Sequence, residues 1–146
     1  MRAIVSLGSN IEPRRGYLDR ALRMLSALPR TRLLAASSVV ETEGVGVPEE
    51  FADLKFLNQA AVFETDLPVR EFSRLMHGIE DALGRVRTVR NGPRTIDLDL
   101  IDFGGLSMDD PEITLPHPRA RERAFVTEPL AELGIELQAP SASRAG

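Results

Sequence analysis

The sequence predicts a single α+β domain whose strands and helices follow the order β-α-β-β-α-β. Short β-prone runs recur along the chain, and two longer segments repeat apolar residues at the three- and four-residue spacing of an amphipathic helix. Glycine or proline separates most of these segments, as expected where one element ends and the next begins. This order is typical of a ferredoxin-like fold, in which two helices pack on one face of an antiparallel sheet.

The first three predicted elements are a strand, a helix and a second strand. Residues 3–7 form a β-prone run that ends in a turn signal at residues 8–10. Pro13 opens the helical pattern, Pro29 ends it, and residues 32–41 form the second predicted strand. The predicted apolar stripe of this helix consists of Leu18, Ala21, Leu22, Leu25 and Leu28.

A long irregular segment precedes the third strand and the second helix. Residues 42–55 show no steady period, and loops of this length are usually functional or disordered. Residues 56–64 form the third predicted strand, Pro68 fits the first turn of the second helix, and Gly84 fits its C-cap. The apolar stripe of this helix consists of Phe72, Leu75, Met76, Ile79 and Leu83.

Two further irregular segments flank the last predicted strand. Residues 85–91 form an arginine-rich loop before a strand at residues 95–103. Three prolines make residues 111–118 a third loop, and a short helix is expected over residues 124–133.

Length and composition limit the classes of function. The chain has 146 residues, 42% of them apolar, which suits one domain over residues 1–137 with a disordered tail at residues 138–146. A formal net charge of −4 argues against a general nucleic-acid-binding surface, which is basic. The absence of cysteine excludes thiol catalysis and zinc–thiolate sites. No apolar run is long enough to span a bilayer or to form a signal peptide, so we expect a cytoplasmic protein.

Two aspartates on the last predicted strand form the strongest candidate site. Asp97 and Asp99 are two residues apart, so in a strand their side chains share one face, about 6.5–7 Å apart. Ile96, Leu98 and Leu100 would then face the core. Aspartate is depleted in strands, and carboxylates that hold magnesium beside phosphate-binding arginines would suit phosphoryl transfer. The alternatives are a polar outer face and a plain salt-bridge cluster with the nearby arginines.

Weaker candidates lie elsewhere in the chain. His117 lies between two prolines in a basic segment, where it could contact phosphate or transfer a proton. His77 and Glu80 would share one helix face, but as a metal pair they lack further ligands, so solvated helix positions are the simpler interpretation. Phe56 and Phe125 could stack on a planar ligand, although most aromatic residues of a small domain belong to its core.

Several blocks of this sequence, taken together, resemble the 6-hydroxymethyl-7,8-dihydropterin pyrophosphokinase family. The segment Gly-Pro-Arg-Thr-Ile-Asp-Leu-Asp-Leu-Ile at residues 92–101 fits the signature of that family. Further blocks follow in the family's order, and several blocks in order are far more specific than one alone. They lie at residues 7–10, 37–42, 56–58, 84–87 and 115–119.

The resemblance implies a magnesium-dependent transfer of the terminal diphosphate of ATP to the hydroxymethyl oxygen of a pterin, with release of AMP. Asp97 and Asp99 would hold two magnesium ions, and Arg85 and Arg94 would act with them in catalysis. The residues implied to line the ATP side are Glu80, Arg85, Arg87, Arg94, Thr114, His117 and Arg123. Those implied to bind the pterin are Thr42, Val45, Asn58 and the two stacking residues Phe56 and Phe125. The three irregular segments would then cover the substrates.

The implied partners are ATP and a pterin, with no nucleic acid and no membrane. We expect a monomer, and association with other folate enzymes stays open. Four residues that affect the nucleotide pocket differ from those in some members of the family: His77, Asn91, Glu112 and Pro118. Glu112, for example, stands where a basic residue occurs. Two other functions remain open: a non-catalytic ferredoxin-like module that binds a nucleotide or RNA, and a magnesium-dependent kinase that transfers one phosphate.

Overall fold

The computed structural model describes residues 1–43, 55–84 and 95–137 as an α+β arrangement of an antiparallel sheet and helices. The strands are β1 (Arg2–Ser9), β2 (Thr31–Ala36), β3 (Val40–Glu43), β4 (Lys55–Thr65), β5 (Asp97–Phe103), β6 (Met108–Asp109) and β7 (Thr114–Leu115). The helices are α1 (Arg14–Ser26), α2 (Val69–Ala82) and α3 (Ala124–Glu132), with a 3-10 turn (Ala120–Glu122) before α3. Most of the first predicted loop, the arginine-rich loop and the predicted tail lie outside the described residues.

The central strand is β1, which lies between β4 and β5. The strand order is β2–β4–β1–β5, and β3 also pairs with β4. All these pairs are antiparallel. The two registers place Gly8 of β1 opposite both Asn58 of β4 and Asp97 of β5. Two residues away on each strand, and therefore on the same face, Ser6 lies opposite Asp99. A separate hairpin of β6 and β7 contacts β5 through β7.

Helices α1 and α2 cover the first face of the sheet. Alternate residues of β1, among them Val5 and Leu7, are fully buried there. The ring centroid of Phe72 on α2 lies 6.5 Å from that of Phe63 and 5.7 Å from that of Phe103, so one side chain joins helix and strands. Burial of each such side chain contributes about 1.5–3 kcal/mol. The predicted helical stripes are confirmed, with Leu18, Ala21, Leu25, Phe72, Met76, Ile79 and Leu83 all buried in this core.

Proline precedes the start of both long helices, as predicted, but α1 ends at Ser26, before the Pro29 that was predicted to end it. Helix α1 begins directly after Pro13, and α2 begins directly after Pro68. After α2 the chain passes through Leu83 to Gly84, whose φ of 84° lies in the left-handed region that favours glycine. The chain can therefore turn away sharply at the end of α2.

Helix α3 covers part of the opposite face of the sheet. Ile101 follows Asp97 and Asp99 on this face, and a register shift at Ile101 in the β1–β5 pairing places Phe103 back in the α1–α2 core. The apolar residues of this second core are Ile4, Ala60, Val62 and Ile101 from the strands and Val126 and Leu130 from α3. The predicted fold class has helices on one face only, whereas this sheet has helices on both. The short helix expected near the C-terminal end forms the additional layer.

The single strand predicted over residues 32–41 is wrong, because β2 and β3 divide this region. The break lies at Ser37, whose N–H donates to the carbonyl oxygen of Ala60 at 2.9 Å. In return, the N–H of Ala60 donates to the Ser37 side-chain oxygen at 2.9 Å instead of to its carbonyl oxygen. That carbonyl oxygen accepts from Gln59 Nε2 at 2.9 Å. The serine side chain thus replaces part of the strand ladder and allows the chain to bend.

The first predicted loop is shorter at both ends than residues 42–55, because Thr42 belongs to β3 and Lys55 to β4. The pairing of these strands holds the two ends of the segment together, with Thr42 opposite Phe56.

In the described part of the chain, none of the helices is long and apolar enough to cross a membrane.

Candidate active site

Asp97 and Asp99 share one face of β5, as predicted. Both are half-buried, and they alternate with the buried residues Leu98 and Leu100, which face the α1–α2 core. Because paired residues of neighbouring strands point to the same face, the two aspartates lie on the α3 side of the sheet, next to Gly8 and Ser6 of β1. A rigid central pairing therefore holds both carboxylates.

The donor chemistry of this pair fits magnesium. Carboxylate oxygens are hard ligands, and magnesium usually takes one or two of them and completes its octahedron with water and phosphate oxygens. Within the described residues, no group of three or more acidic or histidine side chains forms a closed metal site. Two carboxylates alone would leave most coordination positions of such an ion to water and phosphate oxygens.

Gly8, Asn58, Thr42 and Phe56 form a cluster, here called the cradle, beside Asp97. Asn58 is 3% exposed, and its Nδ2 donates to Thr42 Oγ1 at 2.6 Å, which fixes the orientation of the amide. A Cβ atom at Gly8 would lie 3.2 Å from Asn58 Oδ1 and 3.5 Å from a ring carbon of Phe56. Glycine at this position leaves the space beside the amide and the ring free of a side chain. The structure thus brings together three of the predicted pterin residues.

Phe125, the other predicted stacking residue, lies in the first turn of α3 and packs against the second core. The guanidinium carbon of Arg123 lies 5.7 Å from its ring centroid, within cation–π range. Phe56 alternates with residues of the second core along β4, so both aromatic rings belong to the α3 side of the sheet.

A cleft of about 220 Å³ lies at the outer edge of β5, between α2 and the β6–β7 hairpin. Asp99, Thr114 and His117 line it, and His77 and Glu112 contribute from α2 and the hairpin side. The structure therefore places two of the residues predicted for the ATP side, Thr114 and His117, beside one of the two aspartates.

The loop around His117 is attached to the edge of β5. Its N–H donates to the carbonyl oxygen of Ile101 at 2.9 Å, and its Nδ1 accepts from the N–H of Arg119 at 3.3 Å. Burial lowers the pKa of the imidazole, as do the charges of Arg123 and Arg119, while Asp97 opposes them by raising it. The lowered pKa favours the neutral imidazole, and a neutral ring whose Nδ1 accepts from Arg119 carries its proton on Nε2.

Glu80 does not occupy a solvated helix position, so that interpretation is wrong for this residue. Its side chain is completely buried. Oε2 accepts the N–H of Leu98 at 2.8 Å, and Oε1 lies 2.8 Å from Nδ1 of His77, which is half-exposed. The spacing contained a signal for this burial, because Glu80 lies four residues after Met76 on the buried stripe of α2.

Sequence reasoning missed an ion-pair cluster that joins α2 to the β6–β7 hairpin. Arg70 pairs with Asp110 and, at 3.3 Å, with Glu112, while Arg74 Nε lies 3.1 Å from Glu112 Oε1. Arg70 and the N–H of Ile113 hold the pKa of Asp110 below its ordinary value. Each exposed pair is individually weak, but the four charges together define where the hairpin sits on α2.

Four predicted site residues lie outside the described residues: Val45, Arg85, Arg87 and Arg94. Their roles therefore stay predictions.

Comparison with known proteins supplies the family. Residues 4–135 match the sequence model described as 7,8-dihydro-6-hydroxymethylpterin-pyrophosphokinase. The chain is 40% identical over 142 residues to 2-amino-4-hydroxy-6-hydroxymethyldihydropteridine pyrophosphokinase of Bacillus subtilis, which covers 96% of this chain and 83% of the relative. A protein of the same name from Methylorubrum extorquens is 40% identical over 136 residues, covering 93% and 84% of the two chains. The bifunctional protein FolKE of Lactococcus lactis is 35% identical over 129 residues, which is 88% of this chain and 36% of that one.

The pKa of His117 predicts how stability depends on pH. Because the folded state lowers this pKa below the ordinary value of 6.5, the unfolded chain binds more protons at mildly acidic pH, and stability falls as the pH falls through that value. The variant His117→Gln cannot bind this proton. Urea unfolding between about pH 7.5 and 5.5 should show a smaller loss of stability in the variant than in the unchanged protein. Equal losses in the two proteins would contradict a neutral buried imidazole.

Proposed function

This chain belongs to the 7,8-dihydro-6-hydroxymethylpterin-pyrophosphokinase family, and we propose that it transfers diphosphate from ATP to the hydroxymethyl oxygen of 6-hydroxymethyl-7,8-dihydropterin and releases AMP. This is a transferase reaction of folate biosynthesis. The observation that carries the proposal most directly is the row of Asn58, Gly8 and Asp97 across three neighbouring strands. It brings a polar amide, proposed to bind a planar, amide-like ring, beside the two carboxylates that are proposed to bind magnesium.

We propose that Asp97 and Asp99 hold two magnesium ions. When bound, the ions would neutralise charge on the triphosphate and favour loss of the proton from the attacking hydroxyl. The aspartates contribute rigid negative charge on one strand face, and their half-burial leaves room for phosphate oxygens. Arg85 and Arg94 are proposed to complete charge stabilisation during the transfer, a kind of contribution usually worth several kcal/mol.

The cleft at the outer edge of β5 is the proposed ATP side. Thr114 and His117 lie in its wall, and a neutral imidazole offers a donor to a phosphate oxygen without adding charge. Arg123 lies close enough to His117 to affect its pKa. Arg87 and Glu80 complete the proposed ATP set, and Glu80 reaches the cleft through His77 and Leu98, which both line it.

The cradle at Gly8 is the proposed pterin side. Asn58 and Thr42 are proposed to read the polar edge of the ring, together with backbone groups near Val45. Phe56 and Phe125 are proposed to sandwich its faces. A flat heterocycle needs two stacking surfaces and a few edge hydrogen bonds, which these residue types supply.

The remaining parts of the proposal concern the surroundings of the site. The observed strand order supports a ferredoxin-like assignment for the core of the fold, and the three irregular segments are proposed to cover the substrates and exclude water, so that ATP is not simply hydrolysed. We further propose a monomer that works in the cytoplasm. A relative named as bifunctional supports association with other folate enzymes.

The products of the reaction test this function. The protein is incubated with magnesium, ATP and 6-hydroxymethyl-7,8-dihydropterin, and the nucleotide product is identified by chromatography. Pterin-dependent formation of AMP is expected. Formation of ADP would instead support a kinase that transfers one phosphate, and no turnover would support a non-catalytic binding module.

Replacement of each aspartate tests the metal assignment. Asp97→Asn and Asp99→Asn keep the size of the side chain but remove its charge, and each should lower kcat at least about 100-fold with the fold intact. Asp102→Asn is the matched control, because Asp102 lies on the same strand, is half-buried and accepts from the N–H of Gly105. Near-normal turnover in either test variant, measured at saturating magnesium, would refute the assignment.

Replacement of Phe125 tests the proposed stacking. Phe125→Ala removes one aromatic face and should raise the dissociation constant of the pterin roughly three- to tenfold, measured by calorimetry. Phe125→Tyr keeps the ring and should bind the pterin almost normally. Affinity for a non-hydrolysable ATP analogue should not change in either variant, and an unchanged pterin affinity in Phe125→Ala would exclude stacking by this residue.

A further inference from the structure

We infer that Glu80 is a positioning residue for the metal pair: its buried carboxylate holds the β5 backbone between Asp97 and Asp99 and so fixes the direction of both side chains. This inference rests on the proposed function, because it assumes that the two aspartates bind magnesium. It assigns Glu80 a role through the strand, in addition to its proposed place in the ATP set.

The N–H of Leu98 is the first reason. In the described part of the sheet β5 pairs only with β1, and along an antiparallel strand alternate N–H groups point away from the neighbouring strand. Leu98 lies opposite Leu7, and its N–H donates instead to Glu80 Oε2 at 2.8 Å. Leu98 is 1% exposed, so an unpaired N–H there would be costly. The Glu80 side chain on α2 thus accepts the N–H that the carbonyl oxygen of a neighbouring strand would otherwise accept.

The geometry of Glu80 is the second reason. Within the described part of the chain, Oε2 accepts from the backbone of β5 and Oε1 lies beside the imidazole of His77. With both oxygens engaged and the side chain completely buried, the carboxylate has a single orientation. It therefore transmits the position of α2 to the strand residue that lies between the two metal-binding side chains.

The irregularity in β5 is the third reason. The register with β1 shifts where Ile101 is inserted, two residues after Asp99. Strands bend and twist at such an insertion, and rotation of a strand moves its side chains away from their face. The attachment at Leu98 lies between the two aspartates and close to this insertion, so it fixes the strand at the point from which both side chains project.

Two substitutions separate the length of the Glu80 side chain from its negative charge. Glu80→Gln keeps the length of the side chain and an oxygen that can accept from Leu98, but it loses the charge. Glu80→Asp keeps the charge but is one methylene too short to reach the N–H of Leu98. Glu71, an acidic residue in the exposed first turn of α2, provides the matched controls Glu71→Gln and Glu71→Asp.

The readouts are kcat, the binding of Mn²⁺ in the presence of a non-hydrolysable ATP analogue followed by electron paramagnetic resonance, and hydrogen exchange at the Leu98 amide. Glu80→Asp should lower kcat and weaken Mn²⁺ binding, each about tenfold or more, and should speed exchange at Leu98. Glu80→Gln should keep Mn²⁺ binding and exchange at the Leu98 amide within about threefold of the unchanged protein, and both Glu71 controls should stay within about threefold in all three readouts. The pterin dissociation constant should not change in any variant.

The contrary results are equally distinct. Equal losses of Mn²⁺ binding and equally fast exchange at the Leu98 amide in Glu80→Gln and Glu80→Asp would show that the reach of the side chain is not what matters and would overturn the positioning role. Normal kcat and Mn²⁺ binding in Glu80→Asp would also overturn it. If the unchanged protein forms no AMP, the proposed function fails, whereas an active unchanged protein with indistinguishable Glu80 variants contradicts only this inference.

Discussion

The pairing of β1 with β4 on one side and β5 on the other is the constraint on which the rest of the site depends. Asn58 and Asp97 are far apart in sequence, and they become neighbours only because each lies opposite Gly8. A shift of either register by one residue would turn the aspartates or the asparagine into the α1–α2 core. Burial of alternate β1 residues on both faces excludes such a shift, so the same packing that stabilises the sheet also assembles the site.

The outer edge of β5 shows how the fold completes a strand that has one neighbour in the described part of the chain. Glu80 accepts the N–H of Leu98, and the N–H of His117 donates to the carbonyl oxygen of Ile101. These contacts come from α2 and from the loop after β7, so both elements are attached to the strand that carries the aspartates. They also protect a strand edge that would otherwise remain open to pairing with other chains. The proposed ATP cleft lies between the two attachments.

Much of this arrangement could be predicted from periodicity alone, because alternation in a strand and helical spacing are local properties. The common face of Asp97 and Asp99 and the buried stripes of α1 and α2 follow from them. The break at Ser37 could not, since it depends on hydrogen bonds to β4, more than twenty residues further along the chain. The burial of Glu80 could not be predicted for a related reason. Glutamate usually lies in solvent, and the hydrogen bond from the distant N–H of Leu98 makes its burial favourable. The pterin specificity came from the family resemblance, since spacing indicates a metal but not the ring.

Glu112, which the family resemblance suggests as a departure from some members, shows why such a residue has to be interpreted in the structure. An acidic residue in the wall of an ATP cleft would by itself repel a triphosphate. Here its carboxylate pairs with Arg70 and Arg74, and with Asp110 the cluster contains two acids and two arginines, so its formal charge is zero. At the ionic strength of a cell, a neutral cluster has little effect on phosphate beyond its immediate contacts. The acidic residue therefore serves to attach the β6–β7 hairpin, and with it Thr114, to α2. A charge that is unfavourable for the ligand in isolation thus becomes part of the wall that shapes the cleft.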